Sequence, residues 1–138
     1  MVAFGTNQNF GGMSPAILIA TAARLLAERL GGDLHLSGLF RTPCFPAGAG
    51  PDYVNAAGVL TLTQAILPDQ ALQALHEVEA RFGRNRNVRW AARTLDIDLL
   101  AIGQTVLPDA ATQLHWRNLP LDEQAIQTPD RLILPHPR

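Results

Sequence analysis

Residues 94–102 read TLDIDLLAI, an apolar run broken by two aspartates one residue apart. In a β-strand successive side chains point to opposite faces, so Leu95, Ile97 and Leu99 would share one face and Asp96 and Asp98 the other. An apolar face of period two implies a sheet with a core on one side. The two carboxylates would have Cα atoms about 6.5 Å apart. Such a pair can converge on hard cations such as Mg²⁺, which prefer oxygen ligands. Two metals about 3.5–4 Å apart could in turn clamp a phosphate undergoing in-line displacement. The other reading is a half-exposed strand with a polar outer face, although aspartate is depleted in strands.

Just upstream, Arg81, Arg84, Arg86, Arg89 and Arg93 fall within thirteen residues, and the chain contains no lysine. Arginine presents a planar, forked donor suited to phosphate oxygens. Taken alone, the cluster also fits a solvated charged loop. Beside an acidic strand it fits a nucleotide-phosphate site, with carboxylates for metal and guanidinium groups for phosphate oxygens.

Working outward, the segment PDQALQALHEVEARFG (68–83) is helical by the spacing of Leu72, Leu75, Val78 and Phe82, and Gly83 closes it. Glu79 lies within that apolar stripe. It is either a carboxylate reaching water or an arginine from the stripe's edge, or a polar contact to a ligand at the helix end. Before it, YVNAAGVLTLT (53–63) and DLHLSGLFR (33–41) read as strands. In the latter, Leu34, Leu36 and Phe40 alternate against His35, Ser37 and Arg41. Between these strands, TPCFPAGAGP is a loop rich in breakers. An opening strand VAFG leads to Ser14–Pro15, an N-cap followed by a proline at the first helical turn, and Gly31–Gly32 end that helix.

The order is β-α-β-β-α-β. It predicts an α+β fold, a ferredoxin-like sheet with helices packed on it, plus a C-terminal extension. In that extension Gly103 starts a turn into TVL. A weaker helix lies in LPLDEQAIQ, and RLILPHPR forms a short strand and a rigid turn.

Thr42–Pro43, Tyr53 and Asn55 gather hydroxyl, aromatic and amide groups at strand ends, a set able to hold a flat heterocycle. Tyr53 also suits a plain rim position, and His136 a surface turn. The chain's 138 residues suit one domain with a real core. Its single cysteine, Cys44, precludes an internal disulfide and points to a cytoplasmic location. No run reaches the roughly 18 apolar residues of a membrane span. A net charge of -1 gives no general pull toward nucleic acid or anionic lipid.

Several stretches together resemble one family. RTP, DYVNAA, LHEVEARFGRNR, RWAARTLDIDLL and RLILPHPR, opened by AFGTN, are similar in kind and order to the 6-hydroxymethyl-7,8-dihydropterin pyrophosphokinases of folate biosynthesis. The resemblance implies transfer of pyrophosphate from ATP to the hydroxymethyl group of a reduced pterin, with release of AMP. It implies two Mg²⁺ ions on Asp96 and Asp98, and Arg84 and Arg93 as catalytic groups on the transferring phosphates. Arg86 and Trp90 would sit in a closing loop, and Glu79, Arg131 and His136 would contact ATP. Thr42, Pro43 and Asn55 would hold the pterin edge, with Tyr53 stacked on its face.

The partners expected are ATP and the dihydropterin, with no nucleic acid, no membrane and a monomeric protein. Cys44 stands where the family usually has another residue, and residues 108–130 form a longer segment than usual. Family members also continue beyond LPHPR, through a further arginine and a second aromatic. The expectation is therefore a single domain over residues 1–138 that lacks the family's C-terminal segment. A catalytically impaired remnant that only binds nucleotide or pterin is the alternative. An RNA-recognition module shares the β-α-β-β-α-β order, but YVNAAGVL lacks the aromatic and basic pattern that such a module stacks bases on.

Overall fold

The computed structural model describes residues 1–44, 50–83 and 94–137. The chain divides into two compact units, Met1–Leu99 and Leu100–Arg138.

The first unit contains β1 (Val2–Thr6), α1 (Pro15–Leu30), β2 (Gly32–Leu36), β3 (Phe40–Thr42), β4 (Tyr53–Leu62), α2 (Pro68–Arg81) and β5 (Asp96–Leu99). The sheet runs β2-β4-β1-β5, with β3 also paired to β4. Every pairing is antiparallel. Both helices start at a proline, whose fixed φ and missing N–H suit a first turn. Gln70 Oε1 accepts the Leu67 N–H ahead of α2 at 3.1 Å. Gly31 (φ +66°) ends α1 and Gly83 (φ +80°) follows α2, both in the left-handed conformation that glycine adopts without steric cost.

Helices α1 and α2 pack together on one face of the sheet. Leu18, Ile19, Ala22 and Leu26 of α1 and Ala71, Ala74, Leu75 and Val78 of α2 are buried there. They meet Val2, Phe4, Ala56, Ile97 and Leu99.

The expected strand over residues 33–41 is divided, and the reason is a β-bulge. Leu36 pairs with Gly58, whereas Phe40 pairs with Asn55. Four residue steps on this strand therefore face three on β4. One extra residue reverses which side chains point to which face. Phe40 thus lies on the opposite face from Leu34 and Leu36, not in their row, and is 62% exposed. The strand expected over 94–102 is also shorter, since its pairing with β1 ends at Val2 opposite Leu99.

In the second unit, Leu107 and Leu134 exchange two backbone hydrogen bonds of 2.8 and 3.1 Å, which joins TVL to RLIL. Each leucine is followed by a proline, which has no N–H to extend the pairing. The helix expected in LPLDEQAIQ is α4 (Leu121–Ile126). An unexpected α3 (Ala110–Arg117) precedes it, capped by Asp109, whose Oδ1 accepts the Thr112 N–H at 2.9 Å. Among described residues, no helix is long and apolar enough to cross a membrane.

Candidate functional site

The cross-strand register brings the two polar groups of the sequence onto one face. Gly5 of β1 lies between Asn55 of β4 and Asp96 of β5, while Ala3 lies between Ala57 and Asp98. Directly paired residues project to the same side. Tyr53, Asn55, Asp96 and Asp98 therefore share the face turned away from α1 and α2. The alternation along β5 agrees, with Ile97 and Leu99 buried, Asp96 half-buried and Asp98 exposed. Strand β3 adds Thr42 opposite Tyr53, and Pro43 follows it, exposed. At about 4.8 Å per strand, Asn55 and Asp96 are about 10 Å apart with one strand between them.

Gly5 keeps that row open, since a Cβ there would sit 2.9 Å from Asn55 Oδ1. Asn55 Nδ2 donates to Thr42 Oγ1 at 2.8 Å. One amide hydrogen and the carbonyl oxygen of Asn55 remain beyond this bond. The row thus offers a neutral donor–acceptor edge at one end and carboxylates at the other.

Behind β5 the chemistry is of a different kind. Glu79 on α2 is fully buried, and its Oε1 accepts the backbone N–H of Ile97 at 2.8 Å. Among described residues β5 pairs only with β1, so this carboxylate satisfies a strand-edge donor between the two aspartates. Thr94 Oγ1 donates to the Phe82 carbonyl at the end of α2, and the Thr94 carbonyl accepts from the fully buried Thr6 Oγ1. The start of β5, the end of β1 and the end of α2 are thereby tied together. Phe10 packs edge-on to Phe82, with ring centroids 6.0 Å apart.

The donor set at Asp96 and Asp98 is two carboxylates. Among described residues no group of three or more His, Cys, Asp or Glu could hold a metal ion. Two oxygen donors fit Mg²⁺, which usually keeps waters and takes further ligands from substrate phosphates rather than from an all-protein cage.

Of the other residues singled out by sequence, Arg84, Arg86, Trp90 and Arg93 lie outside the described residues. Arg131 and His136 belong to the second unit. There Arg131 pairs with Asp130 at 2.9 and 3.2 Å. That hydrogen bond, then the charge, raises the guanidinium pKa above its ordinary value. The His136 N–H donates to the Leu100 carbonyl at 2.8 Å. Glu79, expected against a nucleotide, has its carboxylate turned into the protein.

Sequence reasoning missed Gly5, Thr6 and Thr94, because their roles depend on pairing partners far along the chain. It also missed α3, although Asp109 three residues before Thr112 is an N-cap pattern that could have revealed it.

A sequence model of the 7,8-dihydro-6-hydroxymethylpterin-pyrophosphokinase family matches residues 1–138. The chain is similar to the 2-amino-4-hydroxy-6-hydroxymethyldihydropteridine pyrophosphokinase of a Synechocystis strain. Identity there is 38% over 88 residues, covering 64% of this chain and 34% of the relative. The protein of the same name from Haemophilus influenzae is 29% identical over 109 residues, 77% of this chain and 63% of that one. The Pseudomonas aeruginosa protein of that name is 42% identical over 57 residues, 41% of this chain and 34% of that one. In each case the match spans less than two thirds of the relative.

Proposed function

The chain belongs to the 7,8-dihydro-6-hydroxymethylpterin-pyrophosphokinase family, and from that premise we propose that it transfers a pyrophosphoryl group from ATP to the hydroxymethyl oxygen of the dihydropterin, releasing AMP. The observation that carries the reading is the row Asn55–Gly5–Asp96 across three adjacent strands. It supports a ring-binding edge and a pair of phosphate-directed carboxylates held at a fixed separation on one face. Fixed placement of two reactants is itself a large part of catalysis in phosphoryl transfer.

In this reading the Thr42–Asn55 pair meets the hydrogen-bonding edge of the pterin, Pro43 borders it and Tyr53 stacks on its face. Asp96 and Asp98 hold two Mg²⁺ ions. When bound, these ions neutralise and orient the phosphate oxygens. Arg84 and Arg93 stabilise charge on the transferring group, and Arg86, Trp90, Arg131 and His136 contact the nucleotide. Arg131 must exchange Asp130 for phosphate to do so. Glu79 serves the nucleotide side from beneath, by fixing the Ile97 amide between the two aspartates. We read β2 and β3 as one bulged strand, so that the sheet corresponds to the ferredoxin-like β-α-β-β-α-β order.

The test is direct. Incubation with ATP, Mg²⁺ and 6-hydroxymethyl-7,8-dihydropterin is expected to yield AMP and the pterin diphosphate in equal amounts. Release of ADP, or no nucleotide product at saturating substrates, would contradict the reading.

A further inference from the structure

We propose that Ser37, through the bulge it stabilises, is the residue that sets which side chains of β3 face the substrate ring. The inference deepens the functional reading above and rests on it for the identity of the ring.

The bulge lies between the Leu36–Gly58 and Phe40–Asn55 pairs. A bulge leaves ladder groups of the partner strand in need of partners. Here Ser37 answers for Ala57 on both counts. The Ser37 N–H donates to the Ala57 carbonyl at 2.8 Å, and Ser37 Oγ accepts the Ala57 N–H at 3.0 Å. The acceptor that a regular ladder would draw from a backbone carbonyl is thus a side-chain hydroxyl. The same hydroxyl donates to the Gly38 carbonyl at 2.8 Å, so its proton and a lone pair are both engaged across the extra residue.

The functional consequence follows from register. With the bulge, Thr42 lies opposite Tyr53 and Phe40 opposite Asn55. Were the pairing of β2 to continue without it, Arg41 would lie opposite Tyr53 and Leu39 opposite Asn55. A slip of one residue sends every side chain to the other face. Asn55 would lose Thr42 Oγ1, which its Nδ2 meets at 2.8 Å, and a guanidinium would stand beside Tyr53. The site would then present a cation in place of a hydroxyl–amide pair suited to an uncharged heterocycle edge. Ser37 itself is exposed, so its hydroxyl is not there to fill the core.

Three forms of the full chain test this: wild type, Ser37→Ala and Ser37→Thr. Binding of the dihydropterin and of a non-hydrolysable Mg²⁺–ATP analogue is measured by calorimetry, and exchange of the Ala57 amide by NMR. Ser37→Ala is expected to weaken pterin binding about tenfold, the value of one lost net hydrogen bond. Nucleotide affinity should stay within about twofold of wild type. Ala57 exchange should accelerate in Ser37→Ala, and Ser37→Thr should restore both pterin binding and protection. Unchanged pterin affinity in Ser37→Ala would overturn the proposal. So would equal loss of pterin and nucleotide binding together with a lowered Tm, the signature of a merely structural serine. If wild type bound no dihydropterin, the functional reading would fail instead. Ala57 exchange would then decide the bulge alone, and slow exchange in Ser37→Ala would overturn it.

Discussion

Three carboxylates stand on the two sides of β5, Glu79 from α2 on one and Asp96 and Asp98 of the strand itself on the other, and their surroundings differ. On the helix side, Glu79 is fully buried and hydrogen-bonded to Ile97. On the other side, Asp96 is half-buried and Asp98 exposed. A buried carboxylate is tolerated only where it is hydrogen-bonded or paired, and in return it fixes the backbone it touches. Asp96 and Asp98 lie on the strand face turned away from the helices, where neither carboxylate is fully buried. The difference teaches that acidic residues close in sequence can be placed in opposite environments, one fixing the strand backbone and the others facing outward from it. Sequence spacing alone does not separate the two.

The largest effect should come from the exposed side. Asp98→Ala is expected to lower the rate of AMP formation about 10³-fold, equivalent to about 4 kcal/mol of transition-state stabilisation. Urea unfolding should place its stability within about 0.5 kcal/mol of wild type. A variant that is active, or one that unfolds, breaks the contrast.

The buried side should respond in the opposite sense. Glu79→Ala leaves the Ile97 amide without its acceptor and opens a cavity, and should cost about 3 kcal/mol in denaturant titrations. Glu79→Gln keeps an acceptor oxygen and should recover a large part of that loss. Equal destabilisation by both would show that charge, not the hydrogen bond to Ile97, is what the core requires.

A smaller effect is expected at the base of β5. Thr94→Val removes the hydroxyl that meets the Phe82 carbonyl and should cost about 1 kcal/mol, while Thr94→Ser should cost less. If Thr94→Val also raises the Mg²⁺ concentration needed for half-maximal activity, the buried tie positions Asp96 as well as stabilising the strand. An unchanged Mg²⁺ requirement would confine Thr94 to stability.

The smallest effect belongs to the surface. The Arg29–Glu77 pair, at 2.7 Å, lowers the Glu77 pKa from 4.5, chiefly through its hydrogen bond. A depressed carboxylate pKa stabilises the fold above the unfolded value, and that contribution fades as pH falls through the folded value. Glu77→Gln should therefore lower Tm slightly at pH 7 and not at all at a pH below the folded value. A deficit that persists in acid would mean the side chain acts by packing instead.

Much of this arrangement is legible in the sequence, and the part that is not has physical causes. The alternation of Leu95, Ile97 and Leu99 with Asp96 and Asp98 is a local, period-two pattern, and the structure keeps its two faces. Helices α1 and α2 carry prolines at their starts and glycines after their ends, which are local signals too. The divided β2–β3 strand was not legible, because the bulge is defined by a count against β4, about twenty residues away. The burial of Glu79 is not legible for the same reason, since its partner is a backbone amide eighteen residues later. In the second unit, α3 has no buried residues, so no apolar stripe marked it. The placement of Tyr53, Asn55, Asp96 and Asp98 on one face needed the pairing of both β4 and β5 to β1.

Anomalous diffraction from crystals grown with Mn²⁺ and a non-hydrolysable ATP analogue tests the central claim most directly. The expected result is manganese density bridging Asp96 and Asp98 to the phosphates, at about 2.2 Å from a carboxylate oxygen of each residue. Manganese bound away from this pair, with nucleotide present, would contradict it.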